Sequence, residues 1–286
     1  MAAPPADEPG DATGEGDHGA DHQAAPPPRV QAGWPKDRLE LAEKVWGEGS
    51  TLPGGVAYTV DLARPLSLSA SSSFLEFGSN LGGSTRAIAD ELGPYVTGKE
   101  LDPRLAEIAS ERSHTLKAEK KAIIEPFEVA TLNLRKGFFD ACLAREILFA
   151  IEDKAEVINQ IGRALKHHAG FVICDLVTPT DEMALEVRRW AEGEAPPGRP
   201  ISVAAYKALF KAAGLATHIE KDETDLYVQM ILSAWNEFNI FATKNQVDKA
   251  LVGPLVGEIE FWARRVAALQ SGHLRFYRFS GQKTAK

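Results

Sequence analysis

The sequence lacks the features of membrane-spanning, secreted and nucleic-acid-binding proteins. No apolar run reaches the roughly eighteen residues that a bilayer-spanning helix requires. The first ten residues, MAAPPADEPG, contain neither the basic nor the apolar region of a secretory signal. No basic patch stands out, and the net charge of −8 argues against binding to a phosphate backbone. We therefore expect a cytoplasmic protein with no transmembrane segment and no nucleic-acid partner.

Cysteine is also scarce, since the 286 residues include two, Cys142 and Cys174. Both lie in apolar, strand-like runs, which predicts reduced packing residues in a cytosolic protein. The adjacent His167 and His168 are interpreted as surface turn residues after a helix, so we expect no metal site.

The first 33 residues differ in composition from the rest of the chain. They are rich in Ala, Pro, Gly, Asp and Glu, with six acids against Arg29 as the one Lys or Arg. Such a segment cannot bury enough apolar surface to offset the entropy of ordering, so we expect a disordered tail. His18 and His22 within it are interpreted as part of a solvated linker.

The segment LEFGSNLGG at residues 75–83, whose glycine-rich turn runs from Gly78 to Gly83, organises the rest of the sequence. Residues 74–77 form a short apolar run typical of a buried strand, and residues 84–93 have helical spacing that ends on a glycine. In a strand, glycine turn and helix, backbone N–H groups at the helix start can face a ligand, and the glycines allow close approach.

Two acids accompany this turn. Glu76 directly precedes it, and Glu100 ends the next apolar run about twenty residues later, where nucleotide-binding α/β folds hold a ribose. We predict that Glu76 and Glu100 lie on neighbouring strand ends and together seat the ligand. The alternative is that both are exposed acids at strand ends.

Strand-like and helical segments then alternate along the chain, which indicates a parallel sheet covered on both faces. We predict an α/β fold with a doubly wound, mostly parallel seven-stranded sheet, completed by a terminal strand at 272–281. The domain covers residues 34–283. Its additions are an N-terminal helical lid at 34–70, a cap insertion at 181–213 and a helical insertion at 224–270.

Four ordered motifs give the sequence a resemblance to a known family. They are VWGEGSTLPGG at 45–55, LEFGSNLGG at 75–83, AREILFAIEDK at 144–154, and the end from Trp262 through GHLRFYRFSGQK at 272–283. Together they resemble the class I S-adenosylmethionine-dependent methyltransferases, and most of all the phosphoethanolamine, glycine and sarcosine methyltransferase group.

The resemblance implies a role for each matched position. The turn formed by Gly78, Ser79, Asn80, Gly82 and Gly83 would contact the methionine part of S-adenosylmethionine. Roles for single residues also follow: Glu100 and Leu101 would hold the ribose end, Glu128 would lie near the adenine, and Arg145 beside the cofactor. Glu146 would lie near the substrate amine, with a structural salt bridge or a solvated acid as the alternative. Asp175 at a strand end is a candidate for orienting the acceptor, with a capping or turn role as the alternative.

The sequence also departs from that group at positions that handle the acceptor. Asn80 replaces the middle glycine of the turn, Ser50 and Leu176 replace tyrosines, and Ala150 replaces a histidine. Only Arg199 is a candidate for binding phosphate between residues 194 and 202. The departures predict that phosphoethanolamine is not the substrate.

We therefore expect an enzyme that transfers a methyl group from S-adenosylmethionine to a small-molecule acceptor, with nitrogen favoured over oxygen. Asn80, Ser50 and Ala150 keep open a second possibility, a catalytically inactive methyltransferase-like binding or regulatory protein. A nicotinamide dehydrogenase is disfavoured because the pattern GxGxxG is incomplete at Asn80.

Overall fold

A computed structural model describes residues 1–2, 33–245, 248 and 251–284. Most of the segment expected to be disordered lies outside these residues. The described chain forms a seven-stranded sheet in the order β3-β2-β1-β4-β5-β7-β6. The strands are β1 (Ser73–Phe77), β2 (Tyr95–Glu100), β3 (Ala122–Pro126), β4 (Phe139–Arg145), β5 (Leu165–Val177), β6 (Leu215–Asp222) and β7 (Arg275–Lys283).

The sheet is parallel except at β7, which pairs antiparallel with β5 on one side and with β6 on the other. The predicted doubly wound α/β fold is thus confirmed, including the terminal strand that completes the sheet. The helices are α1 (Lys36–Trp46), α2 (Gly55–Ala63), α3 (Gly83–Glu91), α4 (Pro103–Thr115), α5 (Lys154–Ala164), α6 (Leu185–Gly193), α7 (Val203–Ala212), α8 (Thr224–Asn245) and α9 (Val252–Gln270).

Local capping fixes where several helices begin. The Asp102 carboxylate accepts the N–H groups of Arg104 and Leu105, and Pro103 takes the first position of α4, where no N–H is needed. Asp153 caps α5 and Ser202 caps α7 in the same way. The three capped helices each follow a parallel strand, so these helices begin on the side of the sheet where the strands end.

One sequence-based expectation is wrong. The segment with His167 and His168 is not a turn after a helix, because β5 already begins at Leu165. The extension is irregular: the pairing of β4 with β5 shifts register after Phe139, and His168 has a φ of 62°. An exposed strand extension with polar side chains has no apolar pattern, so it resembled a turn.

The additions to the sheet pack in two places. α1, α2, α8 and α9 form one apolar layer with the sheet, in which the Trp46 ring lies 4.5 Å from Trp262 and 6.3 Å from Trp235, measured between centroids. α7 lies on the opposite layer, where Tyr206 and Phe210 pack against the sheet. The segment predicted as a cap therefore divides: α6 and the residue after it pack against α9, whereas α7 packs on the other layer.

None of the helices in the described ranges combines the length and the apolar character that crossing a bilayer requires. Those ranges also contain no cluster of three or more His, Cys, Asp or Glu side chains suited to holding a metal ion.

The pairing of β6 with β7 depends on a glycine. A Cβ at Gly281 would overlap the carbonyl oxygen of Ala216 on β6. We expect Gly281→Ala to lower the free energy of unfolding by at least about 2 kcal/mol, because the strands must separate. Gly257→Ala in α9 meets no atom within 4 Å and should instead stabilise the helix by about 0.5–1 kcal/mol.

Chemical denaturation of both glycine variants measures these changes. Equal stabilities for Gly281→Ala and the wild type would contradict the close approach of the two strands.

Candidate functional site

A cavity of about 270 Å³ opens at the carboxyl ends of β1, β2 and β4. One part is lined by the glycine turn and the end of β2, with Gly78, Asn80, Glu100 and Leu101. The other part is lined by residues that follow β4 and by the inserted helices. These are chiefly Glu146, Phe149, Glu194, Phe261, Trp262 and Arg265. The cavity thus joins the predicted cofactor turn to the predicted acceptor acid.

Asn80 occupies the middle position of the turn in a left-handed conformation, with a φ of 51°. Asparagine tolerates this region better than most residues. Its backbone N–H donates to Glu100 Oε2 at 2.7 Å, and its side-chain amide donates to the Gly78 carbonyl at 3.0 Å. Its Oδ1 accepts a hydrogen bond from the Thr51 hydroxyl. The side chain that replaces glycine therefore connects the turn to the lid loop.

The start of α3 is covered by the lid loop at residues 47–54. The Gly83 N–H donates to the Gly49 carbonyl at 3.1 Å, and a Cβ at Gly83 would lie 2.6 Å from that oxygen. The Gly82 N–H donates to Ser79 O. Neither Gly82 nor Gly83 is among the cavity-lining residues, and both of their N–H groups already have acceptors within the protein.

Glu100 lies at the cavity and is held by the backbone. Its carboxylate accepts N–H groups from Asn80 at 2.7 Å and from Asp102 at 3.0 Å. Burial raises the pKa of Glu100 to about 7, although the backbone N–H groups lower it. A carboxylate has about four acceptor positions, so Glu100 can also accept a ribose hydroxyl besides these backbone N–H groups.

Glu76 has a different place from the one predicted. It lies on β1, beside the β2 strand that carries Glu100, but it is fully buried and does not line the cavity. Its two oxygens accept the hydroxyls of Ser84 at 2.5 Å and Thr85 at 2.6 Å. The carboxylate therefore fixes the first turn of α3 to β1 and does not reach the ligand side of the turn.

Arg145 is directed away from the cavity toward the lid. Its guanidinium donates to the Thr59 hydroxyl at 2.6 Å, to the Gly55 carbonyl at 3.3 Å and to the Pro53 carbonyl. It also lies 4.8 Å from the centroid of the Tyr58 ring. Arg145 thus ties the end of the lid loop and the start of α2 to β4, a positioning role that the motif alone did not reveal.

Glu146 follows β4 in a left-handed conformation, with a φ of 49°, and its N–H donates to the Cys174 carbonyl at 2.9 Å. Its Oε2 accepts the Tyr227 hydroxyl at 2.6 Å and Arg265 at 3.2 Å. Its Oε1 is buried without a hydrogen bond in the described structure, although Arg145 lies 3.3 Å away. Glu146 lines the cavity, and this buried oxygen, which contacts Arg145 but forms no hydrogen bond, is a candidate acceptor for a ligand N–H.

Arg265 connects Glu146 to a second buried acid, Glu194. The guanidinium donates to both Glu194 oxygens, at 3.1 and 2.7 Å, in a bidentate pair. Burial lowers the pKa of Arg265, but Glu194, Tyr227 and Glu146 outweigh this effect and raise it. Burial raises the pKa of Glu194, against the lowering effect of Arg265. Because each charge has its partner, the cluster can remain ionised in the interior.

Asp175 and the remaining predicted residues lie outside the cavity lining. Asp175 is buried on β5, where it accepts the Tyr206 hydroxyl at 2.6 Å and the Leu176 N–H at 2.9 Å. Burial raises its pKa to about 7. It therefore secures α7 and is not placed to orient an acceptor. Glu128 is exposed, and Ser79 is buried beneath the turn.

Sequence reasoning missed Glu194, Arg265 and Tyr227 as parts of the site. The spacing of charged residues in α9 could have identified Glu258 and Arg265. The buried positions of this helix are Glu258, Phe261, Trp262, Arg265, Ala268 and Leu269. Helical spacing places Glu258 and Arg265 on the same face as the large aromatics. A charged residue within an apolar face requires a buried partner, which marks it as a candidate site residue.

Comparisons with known proteins agree with this architecture. A protein-family model described as a methyltransferase domain matches residues 75–173. The chain is 26% identical over 203 residues to phosphoethanolamine N-methyltransferase 1 of Zea mays, an alignment that covers 68% of this chain and 38% of the maize protein. The chain therefore matches less than two-fifths of that relative's length.

Solved structures share the fold. Phosphoethanolamine N-methyltransferase 2 of Haemonchus contortus in complex with S-adenosyl-L-methionine has a TM-score of 0.74 at 17% identity, covering 86% of this chain and 57% of that one. A putative sarcosine dimethylglycine methyltransferase from Galdieria sulphuraria has a TM-score of 0.71 at 15% identity, covering 87% and 98%. The fold that the resemblance predicts is thus confirmed, and residues 75–173 match a methyltransferase domain.

The hydrogen bond between Thr51 and Asn80 gives a test of the lid loop. Thr51→Val keeps the side-chain shape but leaves the Asn80 amide oxygen without its donor, whereas Thr51→Ser keeps the hydroxyl. We expect the valine variant to lose about 1 kcal/mol of local stability. Hydrogen exchange at residues 47–55 should accelerate in Thr51→Val and remain near the wild-type rate in Thr51→Ser. Equal rates in both would contradict the connection.

Proposed function

We propose that this chain, which carries a methyltransferase domain, binds S-adenosylmethionine and transfers its methyl group to the nitrogen of a small-molecule amine. The observation that carries the proposal is that one cavity is lined both by the glycine turn with Glu100 and by Glu146, whose Oε1 forms no hydrogen bond within the described residues. When bound, S-adenosylmethionine supplies a methyl group on a positively charged sulfur.

The residues at the turn fit such a cofactor. Glu100 presents a buried carboxylate for two ribose hydroxyls, and Leu101 lies beside it at the cavity. Gly78 and Asn80 supply the close backbone approach that the methionine part needs. The cavity lining contains five acids and two arginines, an excess of negative charge that favours a cationic ligand.

The acceptor end fits an amine. Glu146 Oε1 can accept a hydrogen bond from the acceptor nitrogen and hold the proton that this nitrogen must release. Phe149, Phe261 and Trp262 form apolar walls that keep water away from the reacting atoms. Methyl transfer is an in-line displacement, so a large part of the acceleration can come from holding the two reactants in line. The absence of the group's histidine and tyrosines therefore does not exclude activity.

Glu100 generates a prediction about cofactor binding. Because its pKa is about 7, the carboxylate that accepts the ribose hydroxyls becomes protonated as the pH falls below 7. We expect the Kd for S-adenosylhomocysteine to rise by up to about tenfold between pH 8 and pH 6. Glu100→Gln should bind more weakly at pH 8 and show little change with pH.

Isothermal titration measures these constants. Burial shifts the pKa of Asp175 to about 7 and that of Lys154 to about 8, so these groups titrate in the same range. Because both are present in the wild type and in Glu100→Gln, they do not account for a difference between the two. The exposed Glu125→Gln on β3 serves as a control with the wild-type profile. If the wild-type protein binds neither S-adenosylmethionine nor S-adenosylhomocysteine at millimolar concentration, the proposed function is wrong.

Glu146 generates a prediction about turnover. Glu146→Gln removes the negative charge but keeps the side-chain size, so we expect kcat/KM for an amine acceptor to fall about 10- to 100-fold. The Kd for S-adenosylhomocysteine should change by less than about threefold, because the turn is unaffected. Glu152→Gln, an exposed acid that pairs with Arg199, should retain wild-type values for both.

An assay of methylated product against a panel of amines distinguishes the alternatives. Cofactor binding without product from any amine would favour a methyltransferase-like binding protein. A Glu146→Gln variant with unchanged turnover would remove Glu146 from the acceptor site.

A further inference from the structure

Both arginines at the cavity are already paired with carboxylates of the protein. Arg38 donates to Glu258 at 2.6 Å and to the Gly33 carbonyl at 3.0 Å. Arg265 donates to Glu194, to Glu146 and to the Tyr227 hydroxyl. Each guanidinium is thus matched by at least one buried carboxylate belonging to the protein itself.

Arg199, the phosphate-binding candidate from the sequence, is not available at the cavity. It is exposed, its side chain pairs with Glu152 at 3.4 Å, and it is not among the cavity-lining residues. Its backbone N–H donates to the Phe149 carbonyl at 2.6 Å. The arginine therefore holds a surface loop and does not supply a positive charge to the site.

Glu194 is the acid that occupies Arg265. It ends α6 and lines the cavity together with Ala195 and Pro196. Its two oxygens face Arg265 in the planar, bidentate geometry with which a guanidinium binds the carboxylate or phosphate of a substrate. The protein's own carboxylate thus sits where an anionic group of an acceptor would bind.

We propose that Glu194 is a specificity-determining residue: it acts as an internal counter-anion to Arg265, so that the cavity admits amines without a phosphate or carboxylate and rejects those that carry one. The inference rests on the proposed methyl transfer to an amine and adds the chemical class of that amine. An acceptor anion would have to compete with a buried ion pair that is already formed. The other acids of the cavity would also repel it.

The test removes the internal anion and supplies another from solution. In Glu194→Ala, Arg265 keeps Glu146 but loses its bidentate partner next to the cavity. Acetate, added as a probe against sodium chloride of equal ionic strength, should bind there. An anion at ten times its Kd should raise the melting temperature by about 3–6 °C. The wild type and Glu192→Ala, an exposed acid on the same helix, should show no such difference.

Inorganic phosphate at pH 8, compared with chloride in the same way, extends the test to the second class of anion. If acetate and phosphate stabilise Glu194→Ala no more than Glu192→Ala, the proposal is overturned. If they stabilise the wild type as much as Glu194→Ala, Arg265 is open to anions and the proposal is likewise overturned. The wild-type measurement does not depend on whether the variant folds.

A matched acceptor series provides the second readout. Ethanolamine and propylamine carry no anion, whereas β-alanine and phosphoethanolamine place a carboxylate or phosphate at a similar distance from the nitrogen. Faster wild-type methylation of either anionic amine than of the neutral pair would overturn the proposal. Binding of S-adenosylhomocysteine, measured on the same samples, separates this outcome from a failure of the proposed function itself.

Discussion

The buried guanidinium of Arg265 is the interaction on which the acceptor end of the cavity depends. It joins α9 to the residue after β4, to the end of α6 and to α8, through Glu146, Glu194 and Tyr227. Removing one partner from such a cluster leaves an uncompensated buried charge, which costs several kcal/mol, about 3–5. The inserted helices are therefore held to the sheet by charge as well as by apolar packing.

The cofactor end depends on backbone contacts instead. The lid loop touches the glycine turn through Gly49 and Gly83, and through the side chains of Thr51 and Asn80. Arg145 donates hydrogen bonds to Gly55 and Thr59 in α2, the helix that follows the lid loop. A ligand seated between Glu100 and the turn thus lies beside a loop whose position is determined by the same turn, which couples the lid to the cofactor site.

The sheet could be predicted because each of its signals is local. Apolar runs, the glycine turn and the acid at Glu100 occur within about thirty residues, and they predicted that β1 and β2 are neighbours. The roles of Glu76 and Arg145 could not be predicted, because the partners of a strand-end charge depend on packing. Glu76 accepts the hydroxyls of Ser84 and Thr85, which the following helix α3 supplies. Arg145 meets a loop about ninety residues earlier in the chain.

The acceptor residues show a related limit. Glu194 and Arg265 lie 71 residues apart, and only the packing of α9 against the end of α6 brings them together. Charged positions within the apolar face of α9 indicated that a partner was needed, but not which acid it was. In the sequence, Asn80 is a departure from the glycine expected in the middle of the turn. Its left-handed backbone and the hydrogen bonds of its side-chain amide make it part of the connection to the lid.

The charge pattern of the cavity has a consequence for the proposed reaction. As the methyl group moves, positive charge leaves the sulfur and appears on the acceptor nitrogen. Glu146 lines the proposed acceptor end of the cavity, and a carboxylate held in a water-poor cavity stabilises that charge more than water would. An unpaired guanidinium beside Glu146 would oppose this effect. By pairing with Arg265, Glu194 offsets part of the guanidinium charge that faces Glu146, so under the proposal the acid that excludes anions also favours methyl transfer to nitrogen.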